Sequence, residues 1–181
     1  MSINRSYGGT NKSMKRYLIP ILAALVLASW LMVGCATSAF PSERDQAVTF
    51  YRGLYPIYME FFDTIDKWHT WTSGASPQEY TLNLYIVAGY SKDKLETLSD
   101  QVIILYAPPQ LREVKDTIIS AMEKLIEYFS LVQEYAQTGQ NSYRLQAEVA
   151  WAEYSKLLGT AKDAWESGLA RYNIQRSEII K

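Results

Sequence analysis

From Ser42 onward, apolar residues return every three or four positions with little interruption. Leu84, Ala88, Ser91, Leu95, Leu98, Val102 and Leu105 step by four and three, and Leu111, Val114, Ile118, Ala121, Leu125, Tyr128, Val132 and Tyr135 do the same. Ala147, Ala150, Tyr154, Leu157, Ala161, Ala164 and Gly168 repeat the rhythm, with Trp151, Leu158, Trp165 and Tyr172 beside them at sevens. An earlier stretch, Ala47, Phe50, Leu54, Ile57, Tyr58, Phe61, Ile65 and Trp68, is looser but has the same period. A spacing near 3.5 marks the buried seam of a helix packed lengthwise against other helices.

Punctuation falls between these runs. Ser42 with Asp45, and Ser76 with Pro77 and Glu79, have the form of helix N-termini; Gly139 reads as a C-cap, with Asn141 and Ser142 opening the next helix. Pro108 and Pro109 end one element and start another. The pattern therefore predicts helices over 42–72, 77–106, 109–138 and 142–173. Short connections between long helices make neighbours antiparallel, so the expected fold is all-α, an up-down-up-down four-helix bundle. Tyr80 to Tyr90 is ambiguous, because Leu82, Leu84, Ile86 and Ala88 alternate like a strand. A lone strand finds no partner here, and the expectation is a helix broken near Gly89.

The chain before Ser42 is built differently. Lys12, Lys15 and Arg16 precede an uncharged, mostly apolar run from Leu18 to Val33, shorter than the about 20 residues that span a bilayer and weakened by Pro20. That is the layout of a secretory signal. The run ends in Leu31-Met32-Val33-Gly34-Cys35-Ala36, which contains the only cysteine of the chain. This stretch resembles the lipobox of bacterial lipoproteins, with Met32 where that family most often has leucine. The resemblance implies cleavage between Gly34 and Cys35, and diacylglycerol together with a palmitate-type acyl chain on Cys35. Residues 1–34 would be the signal peptide, with Met14 as the expected initiator, and 35–41 the lipidated cysteine and a short tether to a bundle over 42–181. The resemblance also implies an extracytoplasmic protein held by lipid at the cell membrane or outer membrane. Ala107-Pro108-Pro109-Gln110-Leu111-Arg112-Glu113-Val114-Lys115 is similar to a segment of helical bacterial lipoproteins in which a histidine often replaces Lys115, a match that carries no function.

Charge narrows the partners. The chain has a formal net charge of −1, and Arg5, Lys12, Lys15 and Arg16 all lie before Cys35, so the remainder is more acidic still. Nucleic acid, which favours a basic face, is not an expected partner.

Chemistry is sparse. One histidine, His69, and one cysteine leave no His-rich metal site, no haem-attachment motif and no Gly-rich phosphate loop. The expectation is no catalytic residue, no metal, no cofactor and no enzyme. Glu60, Asp63, Asp66 and His69 stand three apart on one helix face, an arrangement expected of a solvated acidic face. Fourteen tyrosines, five tryptophans and five phenylalanines are unusually many. Of these, Tyr51, Tyr55, Tyr58, Phe62, Trp68 and Trp71 extend beyond one seam of the first helix and are the candidate ligand or partner surface. Ile86, Ile103 and Ile104 fall off the second helix's seam and would enlarge that patch. The functional expectation is a membrane-anchored envelope module that binds a protein partner; the alternative is a small-ligand or lipid carrier with an aromatic-lined cavity.

Overall fold

The computed structural model describes residues 41–73 and 77–180. Four long helices follow one another: α1 Glu43–Ser73, α2 Pro77–Ile104, α3 Arg112–Thr138 and α4 Asn141–Arg171. A 3-10 turn, Pro109–Leu111, precedes α3, and a short helix, α5 Arg176–Ile179, ends the described chain. No strand occurs among the described residues. At 1.5 Å per residue the long helices run about 40–46 Å.

Cross-helix pairs fix the directions. Glu60 of α1 meets Lys94 of α2. Gln133 of α3 donates to the Tyr85 carbonyl at 3.3 Å, and Lys115 to the Ile103 carbonyl at 2.6 Å. Lys124 of α3 pairs with Glu153 of α4 at 2.8 Å. Tyr51 and His69 of α1 pack on Trp165 and Trp151 of α4. Trp71 of α1 also faces Tyr90 of α2, and Tyr128 of α3 faces Trp151 of α4; along each helix pair one number rises as the other falls, so neighbours are antiparallel and the bundle is up-down-up-down, as the periodicity predicts. The core is filled by Phe50, Tyr51, Leu54, Phe61, Leu95, Leu98, Leu111, Met122, Leu125 and Phe129, all but excluded from solvent.

The ends show how local chemistry sets the boundaries. Ser42 and Asp45 form a reciprocal cap: the Asp45 N–H donates to Ser42 Oγ at 3.1 Å, and the Ser42 N–H to Asp45 Oδ2 at 3.2 Å. This satisfies two of the donors a helix start leaves open. Gly139 adopts φ +66°, and its N–H closes α3 on the Tyr135 carbonyl at 2.8 Å. Three expectations are corrected. α2 is not broken at Gly89; Leu84, Val87, Ala88 and Ser91 are buried at helical spacing, and Gly89 makes room for Gln133. The residue before α4 is Gln140, with no side-chain cap, while Asn141 Oδ1 accepts from Arg144 Nε at 2.7 Å. Pro109 opens a 3-10 turn, so α3 proper starts at Arg112.

α5 was not foreseen. Its only buried residue is Ile179, and Arg44 of α1 binds Glu178 at 2.8 Å while Arg52 donates to the Glu178 carbonyl at 2.7 Å. Residues 1–34, with Gly34, and the tether from Cys35 to Phe40 lie outside the described residues. No described helix is long and apolar enough to cross a membrane.

Two glycines of α4 make opposite predictions. A Cβ at Gly168 would collide with the Tyr51 hydroxyl and approach Leu111 Cδ2 to 2.9 Å, whereas one at Gly159 would meet nothing within 4 Å. Gly168→Ala is expected to lower unfolding stability by about 1–3 kcal/mol through overpacking. Gly159→Ala should raise it by about 0.5–1 kcal/mol, since glycine disfavours a helix interior. Urea denaturation of the two variants reads both signs.

Candidate functional site

Aromatic rings concentrate where α1 faces α4. Tyr51 meets Trp165 edge-on at 4.8 Å between centroids, and Tyr58 stacks on the same indole at 5.0 Å and 20°. Phe62 packs on Tyr58 at 4.7 Å, and Phe61 reaches Tyr154 at 6.2 Å. The Tyr51 hydroxyl, fully buried, donates to the Trp165 carbonyl at 3.1 Å. Farther along, Trp68 packs on Phe129 at 5.0 Å and Tyr128 at 6.0 Å, and Tyr128 and His69 both contact Trp151, at 5.1 and 5.7 Å.

The six aromatic positions singled out in α1 are thus not one surface. Tyr51 and Trp68 are buried in the core, Tyr58 is half-buried against Trp165 with half-buried Phe62 against Tyr58, and half-buried Tyr55 lies beside Met59 and Ile179. Only Trp71 is exposed, and it faces Tyr90 of α2 at 6.1 Å. Ile86, Ile103 and Ile104 are exposed, but Ile86 lies near the start of α2 and the other two at its end, about 25 Å apart along the axis. They belong to two patches.

The patch near the start of α2 comprises Leu82, Ile86 and Tyr90, four apart on one helix face, with Trp71 of α1 beside Tyr90, all between 48% and 61% exposed. Around the corner, the ends of all four helices leave a groove of about 470 Å³ lined by Trp68, His69, Tyr80, Tyr128, Tyr135 and Glu148, among others. At its rim Arg144 pairs with Glu148. A second hollow of similar size, between α3 and α4, is lined by Glu113, Thr160, Asp163, Ser167 and Arg171 without any aromatic ring. The groove residues outside α1 were missed as a group by sequence reasoning. Trp151 and Tyr128 are visible in the heptad pattern, but nothing local says that His69 and Tyr80 meet them.

The acidic row on α1 is neutralised in part: Glu60 by Lys94, and Asp63 by Lys67 at 2.6 Å. No group of three metal-ligating side chains exists among the described residues. Every buried side-chain nitrogen or oxygen among them has a hydrogen-bond partner. Comparison with protein-family models, with curated proteins and with solved structures gives no match.

Burial disfavours the charged phenolate. It pushes the Tyr128 hydroxyl up to about 12, opposed by a hydrogen bond from Trp68, and raises Tyr51 and Tyr154 further. A tyrosine whose pKa is higher folded than unfolded stabilises the fold fully below its unfolded value, about 10. That contribution is lost as pH rises through the folded value. Titration by tyrosinate absorbance is therefore expected to show Tyr51, Tyr128 and Tyr154 ionising only with alkaline unfolding. Ionisation of these three in the folded protein near pH 10, the ordinary value, would contradict this packing.

Proposed function

We propose that this chain is a lipid-anchored envelope protein whose helical bundle binds a protein partner through the exposed patch of Trp71, Leu82, Ile86 and Tyr90. The signal-like segment and the lipobox resemblance at Gly34 and Cys35 support export and anchoring. The observation that carries the binding reading is the patch itself: large apolar and aromatic side chains shown to solvent by a bundle whose interior is otherwise full. Large clustered apolar exposure of this kind marks interaction sites, and tyrosine and tryptophan are the residues that most often anchor them. The patch is at the end of the bundle away from Ser42, where a partner can approach clear of the bilayer. A photo-reactive residue in place of Ile86 or Tyr90, in the full chain exported in a bacterial host, is expected to yield a discrete cross-linked product. Lys156, exposed on α4, should yield none. No product from either patch position would overturn the reading.

A carrier role is the second reading, favoured by the groove beside His69 and Tyr128, whose aromatic walls and rim charges suit a small ligand with an apolar body. Native mass spectra of the mature lipoprotein in mild detergent are expected, on this reading, to show an adduct that Tyr128→Ala removes. Spectra free of any adduct would set it aside.

A further inference from the structure

At the opposite end of the bundle, the α2–α3 connection displays apolar side chains from an unusually firm frame. Ile103, Ile104 and Tyr106 are 51%, 83% and 69% exposed. Between them Leu105 turns inward onto Gly53 of α1, where a Cβ would lie 2.7 Å from its Cδ1. Pro108 and Leu111 are buried, and the Leu111 N–H closes the turn on the Pro108 carbonyl at 2.8 Å. Lys115 reaches back from α3 and donates to the carbonyls of Ile103 and Leu105 at 2.6 and 2.8 Å, capping the open end of α2 with a charge of the favourable sign. Ile104 and Tyr106 are therefore held out in fixed positions.

The charge pattern matches the exposure. Residues 103–110 carry no charged side chain. Arg112, just beyond them, is exposed and makes no ion pair among the described residues. Two isoleucines, a tyrosine and a neighbouring arginine are the set that suits the boundary between lipid headgroups and acyl chains, where aromatic rings and cationic side chains settle at headgroup depth.

Chain geometry selects the occupant. The bundle begins at Ser42, and Leu105 is level with Gly53, about ten residues or 15 Å along α1 from its start. The six residues from Ala36 to Pro41 extend to about 20 Å at most. A lipid on Cys35 thus keeps this edge of the bundle within reach of the bilayer surface. We propose that Ile103, Ile104 and Tyr106 insert into the interface of the membrane that carries the anchor, a second contact that fixes the tilt of the bundle. This rests on the lipid-anchor reading.

The test separates the two. Cys35 is the only cysteine, and a lipidated sulfur does not react with thiol dyes, so Ile104→Cys and, as a control at the far end, Gln140→Cys can each be labelled with a solvent-sensitive fluorophore in the full mature protein. The labelled proteins are placed in phosphatidylcholine–phosphatidylglycerol vesicles containing nitroxide lipids. A label at 104 is expected to emit at shorter wavelength and to be quenched several-fold more strongly by shallow nitroxides than a label at 140. A wild-type protein that stays with the vesicles while the label at 104 is not quenched overturns the insertion and leaves the anchor standing. A blue-shifted but unquenched label at 104 means that protein, such as a second copy, covers the patch, and also overturns it. Wild-type protein that reacts with the dye at Cys35 and does not sediment with vesicles overturns the anchor and the insertion together. Tyr106→Cys, a loop position that bears on no helix packing, repeats the measurement if Ile104→Cys fails to fold.

Discussion

The bundle closes through one buried hydroxyl. α1 and α4 are far apart in sequence and are joined by no short loop, so nothing local brings them together; their contact is made by large rings, and Tyr51 stands at one end of it. Its ring meets Trp165 edge-on, and its hydroxyl finds the Trp165 carbonyl only because residue 168 of α4 has no side chain. A buried hydroxyl without a partner costs more than a made hydrogen bond returns. The pairing therefore favours one register of α1 against α4 over its neighbours. Slipping α4 by one turn would place Ala164 or Tyr172 where Gly168 is and bury the hydroxyl against carbon. From this fixed point the other rings follow in order, Tyr58 on Trp165, Phe61 on Tyr154, His69 on Trp151.

Lys115 plays the corresponding part for α2 and α3. These helices are joined by a connection with two prolines, which supply rigidity but remove donors. The last carbonyls of α2 would be left open, and the ammonium of Lys115 closes that of Ile103 and, just past the helix, that of Leu105. A cation there also suits the negative end of the α2 dipole. An imidazolium offers at most two donors in fixed directions, where lysine offers three on a flexible stem.

The helices were legible because their period is long and regular, and because Ser42 and Gly139 are residues whose side chain or lack of one makes a specific hydrogen bond. Gly89 misled for the same kind of reason. A glycine amid alternating apolar residues looks like a break, yet it serves a contact with Gln133, forty-four residues later, that no local pattern contains. α5 escaped notice because four residues are too few to show a period; it is held by Arg44 and Arg52 from the other end of the chain. The aromatic positions of α1 were visible as a set, but which of them face α4 depends on how far apart the backbones stand. With rings on both sides the helices stand back, and residues such as Tyr51 that flank the narrow seam become core. Only Trp71, which turns toward Tyr90 of α2, remains outside.

The exposed apolar residues of α2 are divided, and the division has a consequence. Had Ile86 and Ile104 belonged to one continuous stripe, the helix would have the form of an amphipathic element that lies flat on a bilayer. Between them, however, α2 carries Lys92, Asp93, Lys94, Glu96 and Asp100, and Glu60 of α1 joins Lys94 on the same flank. Sinking that middle section into lipid would strip water from several charges at once, a cost that a few apolar side chains do not offset. The two patches are separated by more than the extended tether can span. A bundle standing on its Ile104 edge, as proposed, would therefore lift Trp71, Ile86 and Tyr90 away from the membrane, so the two exposed apolar patches of one long helix pair would meet different surroundings.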